Sequence, residues 1–157
     1  MQLLFKQRLF SWFDAYDIYD TDGQPVFTVR GQLAWGHKLV IENADGQTVG
    51  MVKEVVLTWL PRFDLYLGDQ WVGSLKKQLT LFKPSYLLDF NDWQVSGNWV
   101  EWDYQIGSPS RGLLATVSKE VFHLTDTYVI DVADPRDALL CLMIVLAIDA
   151  EKCSRND

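Results

Sequence analysis

Apolar and polar residues alternate along much of the N-terminal half of the chain, in short stretches that turn-forming pairs separate. Residues 16–20 and 38–42 are clear examples. Strict alternation buries one face of a β-strand and leaves the other in water. The separating pairs are Asp22-Gly23, Asp45-Gly46, Gly68-Asp69 and Asn91-Asp92. Such pairs supply the positive φ angles of two-residue turns, so the pattern predicts four successive β-hairpins.

This hairpin pattern recurs at a nearly constant spacing. Trp12 and Trp35 are 23 positions apart, and two further units begin at Trp59 and Phe82. A repeat of this length indicates that one small structural unit is used several times. Each unit begins with a large aromatic residue at the corner between two hairpins. We expect these aromatic side chains to plug the gaps where the chain passes from one hairpin to the next.

The C-terminal part of the chain departs from the repeat. Three further stretches have the pattern of strands and bring the total to roughly twelve: residues 99–106, 113–118 and 127–131. Residues 138–148 are then apolar without interruption, after Asp134, a suitable helix cap, and Pro135, which suits the first helical position. A helix that is apolar on all sides must be surrounded, and this run is shorter than the ~20 residues that cross a bilayer. We therefore expect a buried core helix.

These elements predict a mainly β protein with one helix. A closed antiparallel sheet has no free edges and encloses an interior, which the apolar helix would occupy. We predict a roughly twelve-stranded antiparallel barrel of repeated hairpins around a buried C-terminal helix. A sandwich with the helix between two sheets is the alternative geometry. No linker, charge block or low-complexity run divides the sequence, so residues 1–157 are expected to form a single domain.

Composition narrows the function. The chain has 157 residues, of which 48% are hydrophobic and 22% charged, as in an ordinary globular protein, and its formal net charge is −7. The acidic balance argues against a nucleic-acid partner, because nucleic acids are bound through basic surfaces. The N-terminus lacks the pattern of a signal peptide, and the two cysteines, Cys141 and Cys153, are not expected to pair. These features favour a cytoplasmic protein without a transmembrane segment.

The repeated hairpins with aromatic corners, including residues 9–12 and 57–62, are followed by a terminal apolar helix. In this the chain resembles the LURP-one-related family, which shares the Tubby C-terminal-like fold and is related to phospholipid scramblases. The resemblance covers about residues 2–152. It implies a twelve-stranded barrel around a central hydrophobic helix, and it implies no agreed activity. No lysine and arginine motif matches the lipid site of Tubby domains, so the resemblance transfers no site residue.

Candidate catalytic or metal-binding residues are sparse. His37 and His123 are the only histidines, and neither has a Cys or His within four positions, so no metal site is expected. Ser118, His123 and Asp126 have the residue types of a triad without further support. A group of nearby aspartates is better explained as solvated strand and turn positions than as a calcium site: Asp14, Asp17, Asp20 and Asp22. We expect no cofactor and no enzymatic activity.

Basic residues recur at the period of the repeat. Arg30, Lys53 and Lys76 follow one another at 23 positions, and Lys77 is a further candidate next to Lys76. Equivalent positions could align them along one rim or face of the barrel, where they would bind an anionic head group or a phosphorylated ligand. The plainer interpretation is that lysines at strand ends block edge-to-edge pairing. The sequence thus favours a binding or scaffold module for phospholipid head groups or a protein partner. A scramblase-like membrane protein that uses its C-terminal helix is the alternative.

Overall fold

A computed structural model describes residues 1–6, 15–79, 84–89, 91–98, 100–122 and 125–154. These described residues form twelve strands and one α-helix. The strands are β1 Gln2–Lys6, β2 Ala15–Tyr19, β3 Pro25–Ala34, β4 Gly36–Asn43, β5 Thr48–Glu54, β6 Arg62–Leu67, β7 Gln70–Leu79, β8 Pro84–Leu88, β9 Gln94–Asn98, β10 Asp103–Ser108, β11 Gly112–Phe122 and β12 Thr125–Val132. The helix α1 spans Ala138–Ser154 and follows a short 3-10 turn at Pro135–Asp137.

All twelve strands belong to one antiparallel sheet that forms a nearly closed barrel. Their order is β8-β7-β6-β5-β4-β3-β2-β1-β12-β11-β10-β9, so consecutive strands are paired except β8 and β9, and β1 pairs with β12. This confirms the predicted barrel and sets aside the sandwich.

The Asp-Gly turns join the strands as predicted. Gly46 has φ +78° between β4 and β5, and the Asn43 side chain accepts hydrogen bonds from the amides of Asp45 and Gln47 at 3.0 and 2.9 Å. Asp20 caps the β2–β3 turn in the same way. These short-range bonds satisfy turn amides that no strand partner reaches, so the local sequence is sufficient to specify each turn.

The fourth unit is different. Its turn, at Asn91 and Asp92, leads from β8 to β9, which stand at opposite ends of the strand order. Among the described residues, no backbone ladder joins these two strands, so they form the seam of the barrel. Asp92 holds the turn in place by accepting hydrogen bonds from the Ser108 hydroxyl at 2.6 Å and the Ser110 amide at 2.9 Å. These bonds stabilise the ionised carboxylate and lower the pKa of Asp92 to about 2.

The helix fills the barrel. Asp134 caps the preceding 3-10 turn by accepting from the amide of Arg136 at 3.0 Å, and Pro135 occupies its first position. Every side chain from Cys141 to Ile148 is at most 1% exposed, so the apolar run is surrounded on all sides, as predicted. Among the described helices, α1 included, none combines the length and hydropathy that a membrane crossing needs.

The barrel has two distinct ends. We call the "turn end" the one that carries the tight connections β2–β3, β4–β5, β6–β7, β8–β9 and β10–β11, where α1 also begins. The "loop end" carries the alternate connections, including β3–β4 and β5–β6, and α1 ends there. The two ends follow from antiparallel pairing alone, because successive connections alternate between them.

Two predictions about the loop end are wrong. Trp35 and Trp59 do not plug the corners, since they are 87% and 97% exposed. Trp12 and Phe82 lie outside the described residues.

Residues 99–106 are not one strand either, because residues 100–102 form a turn and β10 begins at Asp103. Trp102 adopts φ +57° in this turn and is buried against Tyr128, with ring centroids 4.0 Å apart. Tertiary packing overrides the local alternation there.

Candidate functional site

The four basic residues that recur in the repeat do not all lie on the same face of the sheet. Arg30 lies on the outer face of β3 and pairs with Glu42 at 3.0 Å. Lys76 lies on the outer face of β7 and pairs with Asp89 at 3.3 Å. Lys53, on β5, is exposed.

Lys77 is placed apart from the other three. Its side chain points into the barrel, where its amine donates to the Glu151 carboxylate at 2.5 Å. Tyr86, its cross-strand partner on β8, donates to the other Glu151 oxygen, also at 2.5 Å. Glu151 is fully buried near the end of α1. This ion pair is shielded from solvent, and its evident role is to attach the end of the helix to β7 and β8.

The rest of the helix end also places polar groups inside the barrel. Lys152 lies over the ring of Trp102, 4.3 Å from its centroid. Burial raises the pKa of the Asp149 carboxyl to about 6, partly offset by the charge of Lys152. Burial likewise raises the pKa of the Tyr104 hydroxyl, with smaller effects of Asp149 and Tyr86. The loop end of the interior is therefore polar, in contrast to the apolar middle of the helix.

A cationic pair lies on the outer face near the loop end. Lys38 of β4 and Lys53 of β5 stand directly opposite each other in the register. Neither side chain forms an ion pair with an acidic group among the described residues. Like charges directly opposite on neighbouring strands are destabilising, so the fold bears a local cost at this position.

Two more cations extend this pair toward β7. Arg62 and Lys76 are register partners on β6 and β7. Asp64 lies opposite Lys53 and accepts from Arg62 at 3.2 Å and from the Ser74 hydroxyl at 2.8 Å. We call Lys38, Lys53, Arg62 and Lys76 the "basic face". Its four cations face two carboxylates, Asp64 and Asp89, so it is locally positive on a chain whose net charge is −7.

Exposed apolar side chains lie next to the basic face. Trp35 connects β3 to β4, while Leu57 and Trp59 lie in the connection from β5 to β6. They are 87%, 99% and 97% exposed, respectively. We call these three residues the "apolar tips". Both tryptophans were predicted to plug the gaps at the corners between hairpins. Their spacing gave no sign of exposure, since the connections that hold them are set by the barrel as a whole.

The remaining candidates provide no further site. His123 lies outside the described residues, so the proposed Ser118–His123–Asp126 arrangement is not described. The described part of the chain contains no group of His, Cys, Asp and Glu side chains that could hold a metal ion. Cys141 is buried, and this burial raises the pKa of its thiol to about 12, which keeps it protonated and unreactive.

Comparison with known proteins decides the family. The model of the LURP-one-related family matches residues 1–149. The chain belongs to the LURP-one-related family. An uncharacterised protein of Bacillus subtilis (strain 168), YxjI, is 28% identical to this LURP-one-related protein over 150 residues, which cover 95% of this chain and 92% of that protein. No activity comes with either match.

A solved structure has the same fold as this LURP-one-related protein. It is an X-ray structure of an Arabidopsis thaliana protein with a TM-score of 0.62 and 17% sequence identity, and the match covers 94% of this chain and 90% of that one. At this level of identity the likeness concerns the fold alone. The basic face and the apolar tips must therefore be interpreted from their own chemistry.

Proposed function

We propose that this LURP-one-related protein, taken as a single domain over residues 1–157, is a non-enzymatic binding module for anionic, phosphate-bearing ligands. The observation that carries the proposal is the Lys38–Lys53 pair, in which two amines stand opposite each other without an acidic partner among the described residues. An anion placed between them would turn a repulsive pair into two attractive ones.

The plainer explanation of surface lysines does not apply to this pair. Lysine protects a sheet by blocking edge strands from pairing with other chains. Both β4 and β5, however, are bonded to neighbours on each side, so neither is an edge.

Other cations would contribute at the margin of the site. Arg30 and Lys76 form exposed ion pairs with Glu42 and Asp89, and such pairs contribute little to stability. Their amines and guanidinium groups can therefore turn toward an added anion at small cost. Lys77 is left out of the proposal because its amine is bonded to Glu151 inside the barrel.

The test compares a Lys38→Gln/Lys53→Gln variant with a matched control, Lys119→Gln/Arg136→Gln, which changes the net charge equally at other places. The probes are soluble inositol trisphosphate and vesicles that contain phosphatidylserine. Each cation near an anionic surface contributes about 1 kcal/mol, so we expect the first variant to bind about 30-fold more weakly than the wild type. The control should bind like the wild type, and all binding should weaken with added salt. Equal weakening by both variants would contradict a site at the basic face.

A further inference from the structure

The exposure of the apolar tips is unusual within this protein. Trp93 and Trp102 are buried at 5% and 8%, and Trp71, at the turn end, is 47% exposed. Trp35 and Trp59 are the two most exposed of the tryptophans whose exposure is described. Leu57, which lies between them in the sequence, is more exposed still. Leaving such large apolar groups in water forgoes the free energy that burial provides, on the order of 2 kcal/mol for a leucine.

The backbone holds the tips in place. Leu57 has φ +66°, a conformation that costs a non-glycine residue about 1–3 kcal/mol and that is enriched at functional sites. The hydroxyl of Thr58 lies 2.8 Å from the carbonyl of Leu60 and 3.2 Å from that of Val55. The β5–β6 connection is therefore closed by its own hydrogen bonds, with Leu57 and Trp59 on either side of Thr58.

The two connections that carry the tips are locked together. Gly36 packs so closely on the neighbouring connection that an added Cβ atom would lie 2.7 Å from Val56 Cγ1. The amide of His37 donates to Glu54 Oε2 at 3.0 Å, and His37 Nδ1 lies 2.7 Å from the same oxygen. Trp35 and Leu57 directly adjoin these contacts in sequence. The two backbone segments that carry the tips are therefore held against each other.

Each tip is close to a member of the basic face. Lys38 follows Trp35 by three positions, Lys53 precedes Leu57 by four, and Arg62 follows Trp59 by three. Because these cations lie on the strands that run into the two connections, they form a charged layer directly behind the apolar tips. Tryptophan prefers the interface between head groups and acyl chains, and cations just behind it meet anionic head groups.

We infer that the apolar tips Trp35, Leu57 and Trp59 enter the interface of an anionic bilayer, so that the phosphate-bearing ligand of the basic face is a lipid head group. The inference rests on the proposed function for the charge and on the exposed tips for the bilayer. A protein partner fits less well. The tips project from two short connections at one end of the barrel, whereas a stable protein interface needs about 800 Å² of matched surface on each side.

The experiment uses the full chain and vesicles of phosphatidylcholine with or without phosphatidylserine. The tip variant is Trp35→Ala/Leu57→Ala/Trp59→Ala. Its matched control, Trp71→Ala/Leu113→Ala, removes two other exposed apolar side chains, which are 47% and 52% exposed and lie toward the turn end. Thermal unfolding verifies that both variants fold. Binding of soluble inositol trisphosphate is measured in parallel.

We expect the tip variant to bind anionic vesicles at least about 10-fold more weakly, since it loses apolar burial, and to bind inositol trisphosphate like the wild type. The control should match the wild type in both assays. Lipids brominated on the acyl chains should quench tryptophan fluorescence in the wild type and the control, and much less in the tip variant.

Other results would separate this inference from the proposed function. Binding of inositol trisphosphate without binding to vesicles would overturn the inference and leave the proposed function standing. Quenching with equal affinity for neutral and anionic vesicles would support insertion of the tips and contradict the role of the lysine pair. If the wild type binds neither inositol trisphosphate nor vesicles, both the inference and the proposed function are overturned. Lipid-free self-association that the tip variant abolishes would show that the tips contact a second copy of the chain, which would also overturn the inference.

Discussion

The two ends of the barrel differ in how their polar groups are paired and in how far their apolar side chains are exposed. At the turn end, short connections are closed by their own side chains, as Asn43 and Asp20 show, and Arg111 binds Asp137 through two hydrogen bonds of 3.0 and 2.6 Å beside the start of the helix. At the loop end, the connections leave Trp35, Leu57 and Trp59 in solvent, while the Lys77–Glu151 ion pair is buried inside the barrel. One end satisfies its polar groups locally, and the other combines exposed apolar groups with enclosed charges.

This contrast suggests a division of roles, in which the turn end stabilises the fold and the loop end binds the ligand. The turn end is closed by hydrogen bonds within its turns and by bonds between them, and its exposed apolar side chains Trp71 and Leu113 are only 47% and 52% exposed. The loop end carries features that cost stability in isolation: exposed tryptophans, a leucine with positive φ, and two opposed lysines. Such costs are concentrated where a protein meets a ligand. Four predictions test this division, in order of decreasing effect.

The largest effect is expected inside the loop end. Glu151→Ala removes the partner of Lys77 and leaves its amine buried, which typically costs about 3–5 kcal/mol in the free energy of unfolding. Urea denaturation measures the loss. The control is Lys77→Met/Glu151→Leu, which removes both charges and should recover much of the stability. If Glu151→Ala unfolds at the same urea concentration as the wild type, the ion pair does not hold the helix end.

The next effect depends on pH and concerns Asp149. Because folding raises its pKa from 3.8 to about 6, the native state holds this proton more tightly than the unfolded state does. The resulting stabilisation is complete below pH 3.8 and is lost as the pH rises through 6. Asp149→Asn carries no charge to bury, so it should stabilise the protein by ~1–3 kcal/mol at pH 8 and change little near pH 4. Unfolding curves at the two pH values decide this, and an equal effect at both would contradict it.

A smaller effect is expected at the turn end. Gly46→Ala places a side chain at φ +78°, where an added Cβ atom meets nothing within 4 Å, so the cost is conformational and amounts to about 1–2 kcal/mol. Gly107→Ala is the control, since Gly107 has no positive φ and its added Cβ would make an ordinary contact with the Gly112 carbonyl at 3.5 Å. Thermal unfolding compares the two. A destabilised control with an unaffected Gly46→Ala would show that the turn does not need the left-handed conformation.

The smallest effect on stability is expected at the apolar tips. Trp35→Ala/Trp59→Ala removes two rings that contact mainly solvent, so the free energy of unfolding should change by no more than about 0.5 kcal/mol. Trp102→Ala, at a buried position, should cost ~3–5 kcal/mol in the same denaturant titration. A large loss on removal of the tips would mean that they support the fold, and the division between the two ends would fail.

The sequence predicted the fold well where a short stretch of residues is enough to specify the local structure or its burial. The apolar run 138–148 requires burial whatever its partners, and it became the core of α1. The turn pairs fix their own backbone, and three of the four became hairpins. The fourth, at Asn91 and Asp92, has the same local signal but closes the seam, because β8 and β9 are already paired with β7 and β10. A turn signal states that the chain reverses and does not state which strands then pair.

The site was less accessible to sequence analysis. Lys76 and Lys77 are adjacent and equally basic, yet one lies on the outer face and the other inside, as strand alternation requires once Leu75 is known to be buried. Lys38 went unnoticed, because its significance comes from standing opposite Lys53 on the next strand. The exposure of Trp35 and Trp59 was misjudged, since a tryptophan at a corner gives the same local pattern whether the barrel covers it or not.

By itself, then, the sequence determined most of the strands, the tight turns and the burial of the terminal helix, because each depends on residues close together in the chain. Only the tertiary structure decided which strands meet at the seam, which lysines face each other and which aromatic side chains stay in water. Those properties depend on contacts between distant segments, and a shift of one residue in the register of a strand moves a side chain from the core to the surface.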